Sequence, residues 1–284
     1  MTIDEANRTL ISSLSGPFDD REASSISFLV MERLTGMSRS LQVLNKTTEF
    51  TEKQSEEFQH YFTDLMRMRP VQYVLGEAWF GPFSFFVDEH VLIPRPETEE
   101  LVDWLLKDNT NRVSGTSLLD IGTGSGCIAI YIKKKRNDFV VRALDVDNSA
   151  LQIAKKNSHR LDVQVDFFQC DIRSSGQWHN IKPVDIIISN PPYIPEKQKA
   201  SLEKHVREYE PFVALFVPDD DPITFYKIIG VIALEKLKPG GSLFLEIHHD
   251  YAKNVMDWYT ENGFSLELRK DFSGNNRMIK ASRR

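Results

Sequence analysis

Two consecutive prolines, Pro191 and Pro192, stand between Asn190 and Tyr193 directly after the apolar run Val184-Asp185-Ile186-Ile187-Ile188-Ser189. Neither proline has a backbone N–H and each holds φ near about −65°, so a strand over 184–189 must stop at Asn190. The residue before each proline is also pushed out of the helical region. What remains is a stiff loop at the carboxyl end of a strand, where open α/β sheets place their ligands. It offers an amide side chain, carbonyls with no local N–H to occupy them, and a flat aromatic ring. Such a loop is a receptor for a planar –NH2 group.

A second signal lies upstream. Leu118-Leu119-Asp120-Ile121-Gly122-Thr123-Gly124-Ser125-Gly126-Cys127-Ile128 reads as strand, glycine-rich turn and helix. Alternating glycines bring backbone close to a ligand at a helix N-terminus, where free N–H groups and the dipole favour polar or anionic groups. The next apolar run, 140–145, ends in Asp145, an acid placed about 20 residues on to meet two ribose hydroxyls. Nicotinamide and flavin enzymes use a related turn. The order Asp-x-Gly-x-Gly-x-Gly, rather than Gly-x-Gly-x-x-Gly, leans toward S-adenosylmethionine.

The first seventy residues read as helices. Ile3, Ala6, Leu10 and Leu14 fall at helical spacing up to Ser15-Gly16-Pro17, and Ile26, Leu29, Val30 and Leu34 form a second stripe closed by Gly36. Thr51-Glu52-Lys53-Gln54 has the form of a capping box, opening a helix with Phe58, Tyr61, Phe62 and Leu65 on one face. The aromatic stretch from Trp79 to Val87, broken by Gly81-Pro82, predicts a hairpin. From Glu97 onward strands (117–121, 140–145, 163–169, 184–189, 242–247) alternate with helices (127–135, 148–158, 223–237, 251–262). That alternation predicts a parallel sheet covered by helices, with an antiparallel pair, 264–270 and 277–281, at its end. The expected division is a helical bundle over 1–70, a connecting hairpin and linker over 71–96, and the α/β domain over 97–284.

The formal charge of −6 speaks against a duplex-DNA enzyme, which carries a basic face to release counterions. Residues 1–75 hold eleven Asp/Glu against eight Lys/Arg, so the leading segment is no basic arm. Arg269, Lys270, Arg277, Lys280, Arg283 and Arg284 form a terminal basic group that reads equally well as a solvated end. No apolar stretch nears the roughly 20 residues needed to span a bilayer, and Met1-Thr2-Ile3-Asp4-Glu5 lacks the pattern of a signal peptide. The two cysteines, Cys127 and Cys170, fit a reducing cytoplasm. Histidines 60, 90, 159, 179 and 205 are scattered. His248 and His249 are adjacent and, on a strand, would point to opposite faces. The expectation is a metal-free site.

Asp120 to Gly126 followed by Asn190 to Tyr193 resembles the class I methyltransferases that act on planar exocyclic amines and amides. Arg69-Pro70-Val71-Gln72-Tyr73-Val74-Leu75-Gly76, Leu92-Ile93-Pro94-Arg95-Pro96-Glu97-Thr98-Glu99, Glu210-Pro211-Phe212-Val213-Ala214-Leu215 and Asn275-Asn276-Arg277 narrow the resemblance to the PrmC/HemK family. These are glutamine methyltransferases of peptide chain release factors. The resemblance runs from about residue 69 to the end. It implies a Rossmann-like class I fold with a mixed seven-stranded sheet, S-adenosylmethionine as methyl donor, S-adenosylhomocysteine as product, and release factors as partners.

Under that resemblance Asn190 and the Pro191 carbonyl would accept the two N–H bonds of a glutamine amide, with Pro192 and Tyr193 completing the substrate loop and Tyr193 stacked over the amide plane. Gly122, Gly124 and Gly126 would pass the methionine and ribose portions of the donor. Thr123 and Ser125 would add polar contacts, Asp145 would take the ribose hydroxyls, and Asp171 and Ile172 would flank the adenine. Asn190 also borders the donor, and Asp120 would orient the glycine turn. Two other readings stay open: an adenine methyltransferase on DNA or RNA, whose exocyclic amine fits the same loop, and a non-catalytic binding protein on a methyltransferase scaffold.

Overall fold

The computed structural model describes residues 1–16 and 18–283. The helix-ending role given to Pro17, and Arg284 of the basic terminus, lie outside the described residues. In chain order the helices are α1 (Ile3–Leu14), α2 (Asp20–Thr35), α3 (Arg39–Leu44), α4 (Glu52–Met66), α5 (Val71–Leu75), α6 (Pro96–Asp108), α7 (Cys127–Lys135), α8 (Asn148–Arg160), α9 (Lys204–Tyr209), α10 (Phe212–Leu215), α11 (Thr224–Lys236) and α12 (Ala252–Glu261). The strands are β1 (Ala78–Phe80), β2 (Phe83–Phe85), β3 (Ser117–Ile121), β4 (Val140–Asp145), β5 (Asp166–Gln169), β6 (Val184–Ser189), β7 (Ile194–Pro195), β8 (Phe216–Val217), β9 (Leu237–Glu246), β10 (Phe264–Lys270) and β11 (Asn276–Arg283). The chain divides into two compact units: Met1–Glu77 with Glu203–Tyr209, and Ala78–Leu202 with Glu210–Arg284.

In the helical unit the ends of the long helices are set by capping. Thr2 and Thr51 open α1 and α4, each accepting the N–H three residues on, while Glu5 and Gln54 return to the cap N–H. Asp19 accepts the N–H groups of Arg21 and Glu22 at the head of α2. The α1 stripe is buried at Ile3, Ala6, Leu10 and Leu14, and the last three meet Val30, Met31, Phe58 and Leu65 in one core. Leu29, Tyr61 and Phe62 pack only at its margin. Each large aliphatic side chain removed from water there contributes roughly 1.5–3 kcal/mol. The late helix α9 joins this unit, with Tyr209 Oη donating to the Arg67 carbonyl at 2.7 Å and the His205 ring 6.1 Å from Phe18.

The larger unit is built on a seven-stranded sheet in the order β10-β11-β9-β6-β3-β4-β5. All neighbours pair in parallel except β11, which runs antiparallel to both β9 and β10. The period-two pattern of the strands sorts their side chains into two cores. Leu119, Ile187, Leu243 and Leu245 face one side with α11 and α12, and Leu118, Ile186, Ile188 and Phe244 face the other with α6 and α7. The chain runs from β3 to β4 and β5 on one side, then returns to place β6 on the other. This reversal opens a crevice at the carboxyl ends of β3 and β6.

Three details differ from the sequence expectation. β5 begins at Asp166 rather than 163, and β9 runs unbroken from Leu237 to Glu246 where a strand over 242–247 was expected. The extra residues form an irregularity opposite Val184–Ile186. Residues 194–217, for which periodicity offered nothing, form short helices and the two-stranded parallel pair β7–β8. The expected hairpin is the antiparallel pair β1–β2, with Trp79 opposite Ser84. No helix among the described residues is long and apolar enough to cross a membrane.

Candidate active site

The glycine turn is tied down by its backbone. Gly122 and Thr123 both donate N–H to the Leu144 carbonyl of β4, at 2.9 and 3.0 Å, and Gly126 donates to Thr123 at 2.8 Å before α7 begins. Gly122, Gly124 and Gly126 all have φ between 51° and 82°, a region open to glycine at little cost. Their surroundings differ. A Cβ on Gly122 or Gly124 would meet nothing within 4 Å, whereas one on Gly126 would lie 2.9 Å from Ile130 Cδ1 and 3.1 Å from Ala154 Cβ. The first two glycines therefore face open space and the third serves packing of α7 against α8.

Around that open space gather the ends of four strands. A cavity is lined by Ile121, Gly122 and Gly124 after β3, Leu144 and Asp145 of β4, Cys170, Asp171 and Ile172 after β5, and Ser189 to Pro192 after β6. Asp145 Oδ2 accepts the Gly124 N–H at 2.8 Å and its Oδ1 accepts the Asp147 N–H at 3.0 Å. Burial raises its pKa, against the pull of these N–H groups. Ile172 borders the cavity, its carbonyl held by Trp178 Nε1. The Asp171 carboxylate is forked to Arg173 at 2.9 Å on each oxygen, which holds its pKa below the ordinary value. An adenine amine at Asp171 would have to share that carboxylate with Arg173.

Thr123 and Ser125 are turned inward. Thr123 Oγ1 donates to Asp120 Oδ2 at 2.6 Å, and Ser125 Oγ is buried with no hydrogen-bond partner among the described residues. Asp120 is fully buried and its Oδ1 is likewise unpartnered; burial pushes this carboxyl up to about 7. Asn157 of α8, also fully buried, holds the layer beneath the turn. Its Oδ1 accepts the Phe86 N–H, and its Nδ2 donates to the Phe86 and Ser125 carbonyls. The Cys127 thiol is buried and pushed up to about 12, leaving it inert as a nucleophile.

After β6 the loop takes a defined polarity. Ser189 Oγ donates to the Ile121 carbonyl at 2.7 Å, joining the loop to the end of β3. Asn190 Nδ2 donates to Thr98 Oγ1 at 3.0 Å, and Thr98 Oγ1 donates to Glu246 Oε2 at 2.6 Å. Tyr193 Oη donates to Glu246 Oε1 at 3.0 Å, and its ring meets His248 edge-on at 5.8 Å. Neither Asn190 Oδ1 nor the Pro191 carbonyl takes a hydrogen bond among the described residues.

Thr98, Glu246 and Asn157 were not singled out by sequence reasoning, and neither were the apolar lining residues Val91 and Phe225. Thr98, Leu92, Val213 and Ala214 do fall inside the stretches that carried the family resemblance, which was the available signal. Two residues from those stretches also meet: Arg95 pairs with the buried Glu210, which approaches the Ile93 N–H as well. The expectation for the adjacent histidines is corrected. β9 ends at Glu246, so His248 and His249 lie beyond the strand, their rings stack at 4.8 Å, and with Asp250 they bring three ligand-type groups within 4.8 Å of one another.

The profile of the PrmC N-terminal domain matches residues 17–76 and that of the Methyltransferase small domain matches residues 98–207. The release factor glutamine methyltransferase of Flavobacterium psychrophilum is 36% identical over 285 residues, covering 99% of each chain. That of Bacteroides thetaiotaomicron is 38% identical over 272 residues, covering 95% of this chain and 96% of the other. Among solved structures, the hMettl16 catalytic domain in complex with MAT2A 3'UTR hairpin 6 superposes with a TM-score of 0.55 at 15% identity, covering 82% of each chain. At that identity the likeness extends to the fold alone, a class I methyltransferase sheet.

Proposed function

The chain belongs to the release factor glutamine methyltransferase family, and on that footing we propose that it methylates the side-chain amide nitrogen of the glutamine in the Gly-Gly-Gln loop of peptide chain release factors, using S-adenosylmethionine. The observation that carries this reading is the pair of unengaged acceptors, Asn190 Oδ1 and the Pro191 carbonyl, on a cavity that also contains the glycine turn and Asp145. Two acceptors on consecutive residues match in number the two N–H donors of a primary amide.

The residues present fit the donor. Open space at Gly122 and Gly124 admits its methionine and ribose portions, Asp145 retains lone pairs for ribose hydroxyls, and Ile172 supplies an apolar flank for adenine. When bound, S-adenosylmethionine supplies an electrophilic methyl group on a sulfonium and leaves as S-adenosylhomocysteine. An amide nitrogen is a weak nucleophile because its lone pair is delocalised into the carbonyl. Asn190 and Pro191, by accepting both N–H bonds, fix the amide and favour pyramidal character as the new bond forms. Orientation and preorganised dipoles then supply most of the acceleration. The methylated nitrogen is strongly acidic, so no side-chain base is required, and displacement at a sulfonium calls for no metal. In this reading residues 1–70 dock the release factor, 71–96 connect, 97–284 carry the chemistry, and the site of action is the cytoplasm.

The test is methyl transfer from labelled S-adenosylmethionine to purified release factor, beside its Gly-Gly-Gln→Gly-Gly-Ala variant and duplex DNA. Label in the intact release factor alone is expected. Label in the variant, or in DNA instead, overturns the proposal.

A further inference from the structure

We propose that Glu246 is a positioning residue that decides which end of the Asn190 amide faces the substrate, acting through Thr98. The inference rests on the reading of Asn190 as acceptor for a primary amide. It goes further by assigning a role to two buried residues on elements distant in sequence, the first turn of α6 and the carboxyl end of β9.

An amide side chain can present either its oxygen or its nitrogen after a half-turn, and only the oxygen accepts an N–H. The sense is fixed by the chain of hydrogen bonds behind it. A carboxylate can only accept, and Glu246, 1% exposed, accepts at both oxygens, from Tyr193 Oη at 3.0 Å and Thr98 Oγ1 at 2.6 Å. Thr98 has one hydroxyl proton and gives it to Glu246, so toward Asn190 it can only accept. Asn190 must therefore turn Nδ2 to Thr98, as observed at 3.0 Å, and is left with Oδ1 as its other end. Register brings the parts together, since Ser189, just before Asn190, lies opposite Leu245, just before Glu246.

The same geometry would also serve a purely structural polar cluster, and a reciprocal substitution separates the two roles. In Glu246→Gln, with Tyr193 Oη still donating to the new amide oxygen, the amide nitrogen donates to Thr98, Thr98 donates to Asn190, and the Asn190 amide flips. Its –NH2 then meets the N–H bonds of the substrate. In Asn190→Asp alone, a carboxylate oxygen faces the accepting Thr98. Both single variants are expected to lose on the order of 100-fold in kcat, the loss that follows removal of one aligned dipole, with S-adenosylmethionine affinity kept in Glu246→Gln. In the double variant Thr98 donates to the new carboxylate, whose other oxygen accepts from the substrate, so kcat recovers at least tenfold over either single variant. Thr98→Val, which breaks the relay, should lose kcat and not be rescued by Asn190→Asp.

Losses that add instead of compensating, or full activity in either Glu246→Gln or Thr98→Val, overturn the proposal. Should Glu246→Gln not fold, the Thr98→Val arm still decides, since undiminished kcat there refutes the relay. Failure of the wild-type enzyme to label the glutamine would defeat the underlying reading instead, so the two failures are distinguishable.

Discussion

Asp145 Oδ2 accepts the backbone N–H of Gly124 at 2.8 Å, so the acid expected to hold a ribose also pins the glycine turn to the end of β4. Asp145→Ala should therefore do two things. S-adenosylmethionine binding by calorimetry is expected to weaken by about tenfold to a hundredfold, or about 1.4–2.8 kcal/mol. The Gly124 amide should also exchange hydrogen faster in the ligand-free protein, an effect that loss of a ribose contact alone does not produce.

The three glycines of the turn are expected to separate by substitution. Gly126→Ala brings a Cβ against Ile130 and Ala154 at a φ of 82°, and should destabilise the fold by about 1–3 kcal/mol in denaturant titration. Gly122→Ala meets no atom within 4 Å, so beyond about 1 kcal/mol of backbone strain its effect should appear in donor affinity. Equal loss of stability in both variants would contradict the division.

Arg95→Ala leaves the carboxylate of Glu210 buried without its ion-pair partner. Breaking a pair of this kind costs about 3–5 kcal/mol when one charge stays buried. Arg95 is one-third exposed, which lowers the expectation to about 2–3 kcal/mol in a urea midpoint series. The companion Arg95→Ala/Glu210→Gln variant should recover part of it.

Asp120 gives the ligand-free protein a pH signature. Its carboxyl is raised from 3.8 to about 7 by burial, with Asp145 adding to the shift and Thr123 opposing it. A folded-state value above the unfolded one means the unfolded chain releases its proton first. The contribution to stability is thus fully present below about pH 4 and is lost as pH rises through about 7. Between pH 5 and 8 the unfolding midpoint should fall, and Asp120→Asn should flatten that slope, as followed by thermal denaturation across buffers.

The period-two and helical patterns placed most elements, because burial on two faces of a sheet or one face of a helix leaves a direct mark on residue order. Asn190, Gly122 and Asp145 were legible for another reason. Proline, glycine and a strand-end acid each restrict the backbone locally. Thr98, Glu246 and Asn157 carry no such mark. Each is an ordinary polar residue whose role exists only once β9, α6 and α8 are brought beside β6 and the turn, contacts that span 148 positions between Thr98 and Glu246. The inward turn of Thr123 and the Asp171–Arg173 fork were hidden similarly, since spacing gives a position and not a side-chain direction.

The inclusion of Glu203–Tyr209 in the helical unit means that the chain passes between its units at 77/78, 202/203 and 209/210. The helical unit is therefore no detachable bead on a tether. A truncation after residue 77 would leave the Arg67 carbonyl without the Tyr209 hydroxyl. A graft of residues 1–77 onto another scaffold would carry an incomplete part, so exchange of this unit between relatives must transplant both segments together.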